Sequence, residues 1–391
     1  MTRRSIGTVI ALFCLSASLA RAAADVEPSA RAQQLIDKGL SFLKTQQKPD
    51  GSWQNENDPP GITALVLRAF VNDAKYSASK DQFLRNGYNK LLSYQQASGG
   101  IYQDILANYN TAISVSALVP AAADPNNPVM KDALDRAVDY LRKTQWTEGA
   151  VGPKGETIEG KSNTWYGGFG YNRHSRPDLS NSHFSIEALH DAGLKPDDPA
   201  FQKALVFLTR CQNAKQNDQP WAGADGGFIY SPANGGDSEA ESYTGPDGRK
   251  MWRSYGSMTY AGLKSMIWAG LTKDDPRVRA AIDWIKQNWT LDENPGMRGN
   301  DPAQAQHGLY YYFNVFAKSM RAYGEPVITD ASGKQHDWRV ELIEKVASLQ
   351  RPDGSWAGEK RWMEDNPTLV TAYVVLALQE AQQDLKAHAV K

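Results

Sequence analysis

The stretch "QQKPDGSW" at residues 46–53 returns almost unchanged as "LQRPDGSW" at residues 349–356. One Pro-Asp-Gly turn can arise alone, but a second copy in the same setting marks an internal repeat, and a repeat decides the architecture before any single element does. Aligned on this motif, the sequence divides into six units. Each opens with a charged helical pattern, passes a Gln-rich or aromatic turn, and closes with a second helical pattern of small and apolar residues. The first unit runs from "AQQLIDKGLSFLKTQQ" through "DGSW" to "GITALVLRAFVNDA", and the last from "WRVELIEKVASLQ" through "DGSW" to "NPTLVTAYVVLALQEA". Apolar residues fall at helical spacing throughout, and no run alternates as a strand.

Helix logic sets the boundaries. Asp198 before Pro199 and Asp275 before Pro276 each place an acceptor and then a proline at a helix start. The inner patterns "TALVLRAF", "TAISVSAL" and "TAYVVLAL" carry almost no ionised groups. That suits an inner wall standing between a cavity and an outer helical layer, and six units suffice to close such a wall into a ring. Two long Gly-rich insertions, at residues 147–163 and 231–250, become loops on one face of this scaffold.

The 43 basic and 44 acidic side chains nearly cancel, which argues against nucleic acid as the partner. The N-terminus reads as a signal peptide over residues 1–22: "MTRRS", then the apolar "IGTVIALFCLSASLA", then small residues at Ala20 and Ala22. Ordinary secretion is preferred over the twin-arginine route that Arg3 and Arg4 suggest. No transmembrane segment follows, so the reading is an exported protein, periplasmic or extracellular. Once Cys14 leaves with the signal, Cys211 stands alone and no internal disulfide can form.

The segment from Lys38 and Gly39 through Phe42, Leu43, Gln47 and Gly51 to Trp53 resembles the QW motif of squalene and oxidosqualene cyclases. "RAVDYLRKTQ" and "KALVFLTRCQ" repeat its front half around Gln145 and Gln212. Gln350, Gly354 and Trp356 repeat its back half. Protein prenyltransferase beta subunits carry related repeats, with turns similar to "GGFGYN". The resemblance spans the mature chain and implies an all-α fold, an α6/α6 toroid of six inner and six outer helices over residues 28–385. It also implies that Gln and Trp tie neighbouring helix ends on the outside. The motif speaks for fold; a reaction must be argued from the site.

The chemistries of those relatives are absent from the letters. There is no D-x-D-D for protonating an alkene, no Asp-x-Cys for a zinc thiolate and no thioester stretch, so no metal and no cofactor is expected. Glu364 and Asp365 in "WMEDNP" form the nearest acidic pair at an inner-helix entrance. Thr63, Thr111, Ser182, Thr259 and Thr371 share one position near those entrances, with Phe313 in the fifth unit. Taken singly they bond back to the backbone; taken together they describe a polar mouth. The segment "NTWYGGFGYNRHSRPDLSNSH" adds Trp165, Tyr166, Phe169 and Tyr171 as flat surfaces and Asn172, Arg173 and Asp178 as polar handles. His183 reads either as a base oriented by Asp178 or as a buried structural histidine. Tyr255, His307, Tyr310 and Tyr312 complete the candidate ligand-binding set.

Three readings stand. The preferred one is a toroid binding an apolar or mixed small molecule, a lipid, isoprenoid or glycan, in its central cavity. The second is a terpenoid- or prenyl-transforming enzyme with a non-standard acid. The third, a glycan-active toroid enzyme, ranks last.

Overall fold

The computed structural model describes residues 27–124 and 128–389, so the expected signal peptide lies outside the described residues. Twelve α-helices carry these residues. The odd-numbered ones are α1 (Pro28–Thr45), α3 (Gln82–Leu92), α5 (Pro128–Thr144), α7 (Pro199–Cys211), α9 (Pro276–Gln287) and α11 (Trp338–Leu349). The even-numbered ones are α2 (Gly61–Val71), α4 (Ala107–Ala122), α6 (Leu179–Asp191), α8 (Gly256–Trp268), α10 (Leu309–Tyr323) and α12 (Pro367–Ala389).

The two sets differ in patterning. Helix α3 buries only Leu84, Gly87, Tyr88 and Leu91, one stripe at helical spacing. Helix α8 is buried continuously from Gly256 to Met266, on every side. Each even helix packs on the next even one, and α12 packs on α2; the odd helices lie against them from outside, α5 on α4, α9 on α8 and α1 on α12. Starts follow the expected caps: Asp198 Oδ1 accepts from Ala200 N at 2.9 Å and Asp275 Oδ1 from Arg277 N at 2.9 Å.

The repeated octapeptide does one job twice. Asp50 Oδ1 accepts from Ser52 N at 3.0 Å and from Ser52 Oγ at 2.7 Å, and Asp353 does the same with Ser355 at 3.0 and 2.7 Å. The turn glycine follows at positive φ, +90° at Gly51 and +88° at Gly354. A Cβ on Gly51 would stand 2.5 Å from Asn86 O, and one on Gly354 2.7 Å from Lys38 O. Each turn therefore presses against the next odd helix, where only glycine fits. The glutamine completes the tie. Gln47 Nε2 donates to Gly51 O at 3.0 Å and to Phe83 O of α3 at 2.7 Å. Gln95, Gln145 and Gln212 reach Ala133, Ala200 and Arg277 of the following helices at 2.9, 2.9 and 2.8 Å. Gln350 reaches back to Leu35 O of α1 at 3.3 Å, joining the last unit to the first. Unit five departs from the pattern: Trp289 stands at the glutamine's position, and its Nε1 donates to the Glu341 side chain of α11 at 2.9 Å. Replacing Gln350 by Ala removes two donors from this seam. It is expected to cost about 1–2 kcal/mol in urea unfolding, with little change for a surface control such as Lys360→Ala.

Three two-stranded hairpins correct the expectation that no strands form: β1 (Phe169–Gly170) with β2 (Pro177–Asp178), β3 (Ser242–Thr244) with β4 (Lys250–Trp252), and β5 (Val327–Thr329) with β6 (Gln335–Asp337). At two or three residues per strand they are too short to show a period of two. The insertion at 147–163 helps build a separate small apolar cluster with Trp146, Ile158 and Tyr166 at its centre.

Candidate functional site

The polar position shared by the inner helices turns outward. Thr63, Thr111, Ser182, Thr259 and Thr371 accept from the backbone N–H of Trp53, Ile101, Phe169, Phe228 and Trp356 at 2.8, 2.9, 3.0, 3.1 and 3.1 Å. These hydroxyls fasten the turns of the repeat and line no mouth. The helix face opposite them is set by the same register. Two residues earlier is a rotation of about 200°, on the far side of a 3.6-residue turn. In all six units that residue lines one cavity: Gly61, Tyr109, Ser180, Ser257, Tyr311 and Leu369.

The cavity holds about 240 Å³. Six tyrosines line it, Tyr109, Tyr171, Tyr230, Tyr255, Tyr311 and Tyr373, with Ile62, Leu65, Ile113 and Met258 filling between. The phenols hold one another: Tyr109 and Tyr373 hydroxyls stand 3.3 Å apart, and those of Tyr171 and Tyr230 3.0 Å. Apart from these its polar side chains are Ser180, Ser257, Glu239 and Glu364. Backbone strain gathers here. Of five non-glycine residues at positive φ among those described, Leu106 (57°), Trp362 (54°) and Met363 (64°) line the cavity. Arg361, beside Trp362, pairs with Glu239 at 2.8 Å and so bridges the last loop to the 231–250 insertion.

Glu364 has the most constrained carboxyl of the lining. It is 1% exposed. Its Oε1 accepts from Tyr310 N at 2.9 Å and Tyr311 N at 2.8 Å, at the positive end of α10. Its Oε2 has no hydrogen-bond partner. Burial pushes this carboxyl up to about 7, against the pull of the backbone N–H groups.

Asp178 and His183 do not pair. Asp178 caps α6, with Oδ1 accepting from Asn181 N and Oδ2 from Asn181 Nδ2, both at 2.8 Å. Burial raises it to about 7, with the Asn181 bonds opposing. His183 Nε2 instead shares a 2.6 Å hydrogen bond with the hydroxyl of Tyr311, which also meets Ser180 Oγ at 3.1 Å. Burial, helped by Lys264, holds the imidazole well below its usual range, so it is neutral. The Asp178–His183 orientation read from the sequence is thereby corrected: each has taken a nearer partner, and both stand behind the lining.

One turn deeper, the interior is filled by charge. Glu187 accepts from Arg68 at 2.6 Å and from Lys264 and Lys318, and Arg68 also meets Asp191 at 2.9 Å. Four even helices, α2, α6, α8 and α10, meet in this cluster. Burial pushes the Glu187 carboxyl upward, but Lys264, Lys318 and Arg68 outweigh it and hold it well below the normal carboxylate range.

The other sequence candidates are scattered. Tyr171 and Tyr255 line the cavity. Tyr166 is buried in the small cluster and donates to Glu148 Oε1 at 2.8 Å, while Trp165 packs on Trp146 at 4.8 Å. Phe169 is in the main core, and Asn172 and Arg173 are exposed in the β1–β2 turn. Tyr310 contributes its backbone N–H, and Tyr312 donates to Thr290 O at 2.8 Å in the core. His307 stands 3.4 Å from Glu359 outside the lining, and Asp365 is exposed. The residues missed from sequence are Tyr109, Ser180, Tyr230, Glu239, Tyr311, Trp362 and Tyr373. The register rule alone recovers Tyr109, Ser180 and Tyr311. Among the described residues no group of three or more His, Cys, Asp or Glu side chains gathers as for a metal ion. No described helix is long and apolar enough to cross a membrane.

No family model matches the sequence, and no curated protein sequence does. Solved structures do match. A type II terpene cyclase, MstE from Scytonema, in complex with its product merosterolic acid A, superposes with a TM-score of 0.53 at 13% identity, covering 91% of this chain and 99% of that one. The GH76A α-1,6-mannanase from Salegentibacter sp. HEL1_6 gives 0.54 at 10% identity, over 91% and 99%. An α-amylase from Clostridium perfringens gives 0.54 at 12% identity, over 88% and 97%. At these identities the likeness establishes the fold: the chain is a helix-rich protein of the α-toroid type that terpene cyclases and glycoside hydrolases share.

Proposed function

We propose that this is an exported six-plus-six helical toroid, spanning residues 28–385, that encloses a small apolar molecule of the isoprenoid or lipid class in its central cavity. One observation carries the reading: the inward register of all six units converges on a cavity walled by tyrosine rings and aliphatic side chains. Ring surfaces and methyl groups favour a hydrocarbon body. A sugar of the same size presents many hydroxyls that must each find a partner when buried, and outside the phenols this lining offers four polar side chains.

Filling the cavity tests it. Ile113 lines the wall and is 2% exposed. Ile113→Trp is expected to weaken binding of geraniol or farnesol at least tenfold by isothermal calorimetry, at an overpacking cost of about 1–3 kcal/mol in stability. Unchanged affinity in a folded variant contradicts the site.

A second reading, chemical transformation of the ligand, is supported by the buried carboxyl of Glu364 beside aromatic faces suited to stabilising positive charge. Incubation with geraniol, farnesol and geranylgeraniol followed by gas chromatography tests this reading; recovery of each unchanged counts against it.

A further inference from the structure

Three even-numbered helices are capped from the neighbouring unit by the same device, with one difference. Asn110 Oδ1 accepts from Gly61 N of α2 at 3.0 Å, while its Nδ2 donates to Ile105 O at 3.0 Å. Asn294 Oδ1 accepts from Ser257 N of α8 at 3.0 Å, while its Nδ2 donates to His307 O at 3.1 Å. Both amides are satisfied at both ends. At α10 the capping residue is Glu364, whose Oε1 meets two N–H groups and whose Oε2 meets nothing. An amide would serve the helix equally well. Of these three caps, the one given a carboxyl and left half-satisfied is the one that lines the cavity.

We infer that Glu364 selects, among apolar ligands, those carrying a single neutral oxygen acceptor, such as a ketone or ether, by donating a hydrogen bond from Oε2. This rests on the ligand reading above and narrows it. A pure hydrocarbon leaves the buried Oε2 unmet, and a carboxylate or phosphate brings a charge that this wall does not pair. The surroundings keep the proton on. Glu359 on the same loop adds negative charge, and the phenols of Tyr310 and Tyr373 close in from α10 and α12. The nearby cation, Arg361, is committed to Glu239, and His307 faces Glu359. The carboxyl is protonated below about 7, so donation is present in acid and lost as pH rises through that value.

The test is calorimetry with decan-2-one and decane at pH 6 and pH 8.5. Wild type is expected to prefer the ketone over decane about tenfold at pH 6, and to lose that preference at pH 8.5, where the ionised carboxyl has no proton to donate. Glu364→Gln keeps the cap through its oxygen and the donor through its nitrogen, so its preference is expected to persist at both pH values. Glu364→Ala is expected to bind ketone and alkane alike. Equal wild-type affinity for decane and decan-2-one at pH 6, or a pH dependence that survives in Glu364→Gln, overturns the inference while leaving an apolar cavity. No binding of either ligand by wild type overturns the ligand reading and this inference together.

Discussion

Replacing Glu187 by Ala is expected to destabilise the protein by about 3–5 kcal/mol, the cost of leaving buried charge without its partner. Glu187 is 1% exposed, and the side chains of Lys264 and Lys318 that donate to it are 0% and 3% exposed. Three cations from three helices converge on this carboxylate, and only Arg68 has a second acidic partner, Asp191. Burial already drives Lys264 down to about 8, with Glu187 the chief counterweight, so removal of Glu187 forces the lysines to shed protons or admit water. Urea unfolding at pH 7 measures the loss. A combined Glu187→Leu, Lys264→Met and Lys318→Met variant, apolar where the parent is charged, is expected to recover most of it. A loss below 1 kcal/mol for Glu187→Ala, by the same urea measurement, means the cluster is wetter than its burial indicates.

Trp356→Ala is expected to cost about 3–5 kcal/mol, as large-to-small changes of fully buried aromatics do. Trp356 is 0% exposed and its Nε1 donates to Val346 O at 2.8 Å. Its ring lies against α1: a Cβ on Gly39 would come within 3.1 Å of it. The substitution therefore empties the seam where the sixth unit meets the first. Trp53, with Nε1 on Leu43 O at 2.7 Å and its ring against Gly87, holds the equivalent seam between units one and two. If the ring is continuous, the two Trp→Ala variants lose similar amounts in thermal unfolding. A much smaller loss for Trp356→Ala means that the two ends of the chain are not mutually supporting.

The fold was legible because its determinants are repeated. Six copies of one pattern average out local ambiguity, and Pro, Gly, Gln and Trp each have a geometric role that survives in the structure. The site was less legible because its determinants are not repeated. Tyr311 sits between Tyr310 and Tyr312, and the letters do not say which of three neighbouring rings faces inward. The structure turns Tyr311 to the cavity and sends Tyr312 to the core. The shared hydroxyl position shows in the alignment, but the letters leave open whether it bonds the backbone or lines a mouth; its register serves the turn. Phe169 and Tyr166 were chosen for composition, and their aromatic surface is consumed by packing. Tyr230 and Glu239 stand at the edge of or inside an insertion, where no repeat fixes direction. Glu364 was found for its charge; its half-satisfied state needed three dimensions.

A crystal structure of the protein equilibrated with a total lipid extract tests most directly whether the convergent face of the six even-numbered helices holds an apolar ligand. Continuous density between the rings of Tyr109, Tyr311 and Tyr373, absent in Ile113→Trp, where the indole takes that space, is the expected result. A cavity holding only ordered water, with an oligosaccharide or lipid seated elsewhere on the molecule, contradicts it.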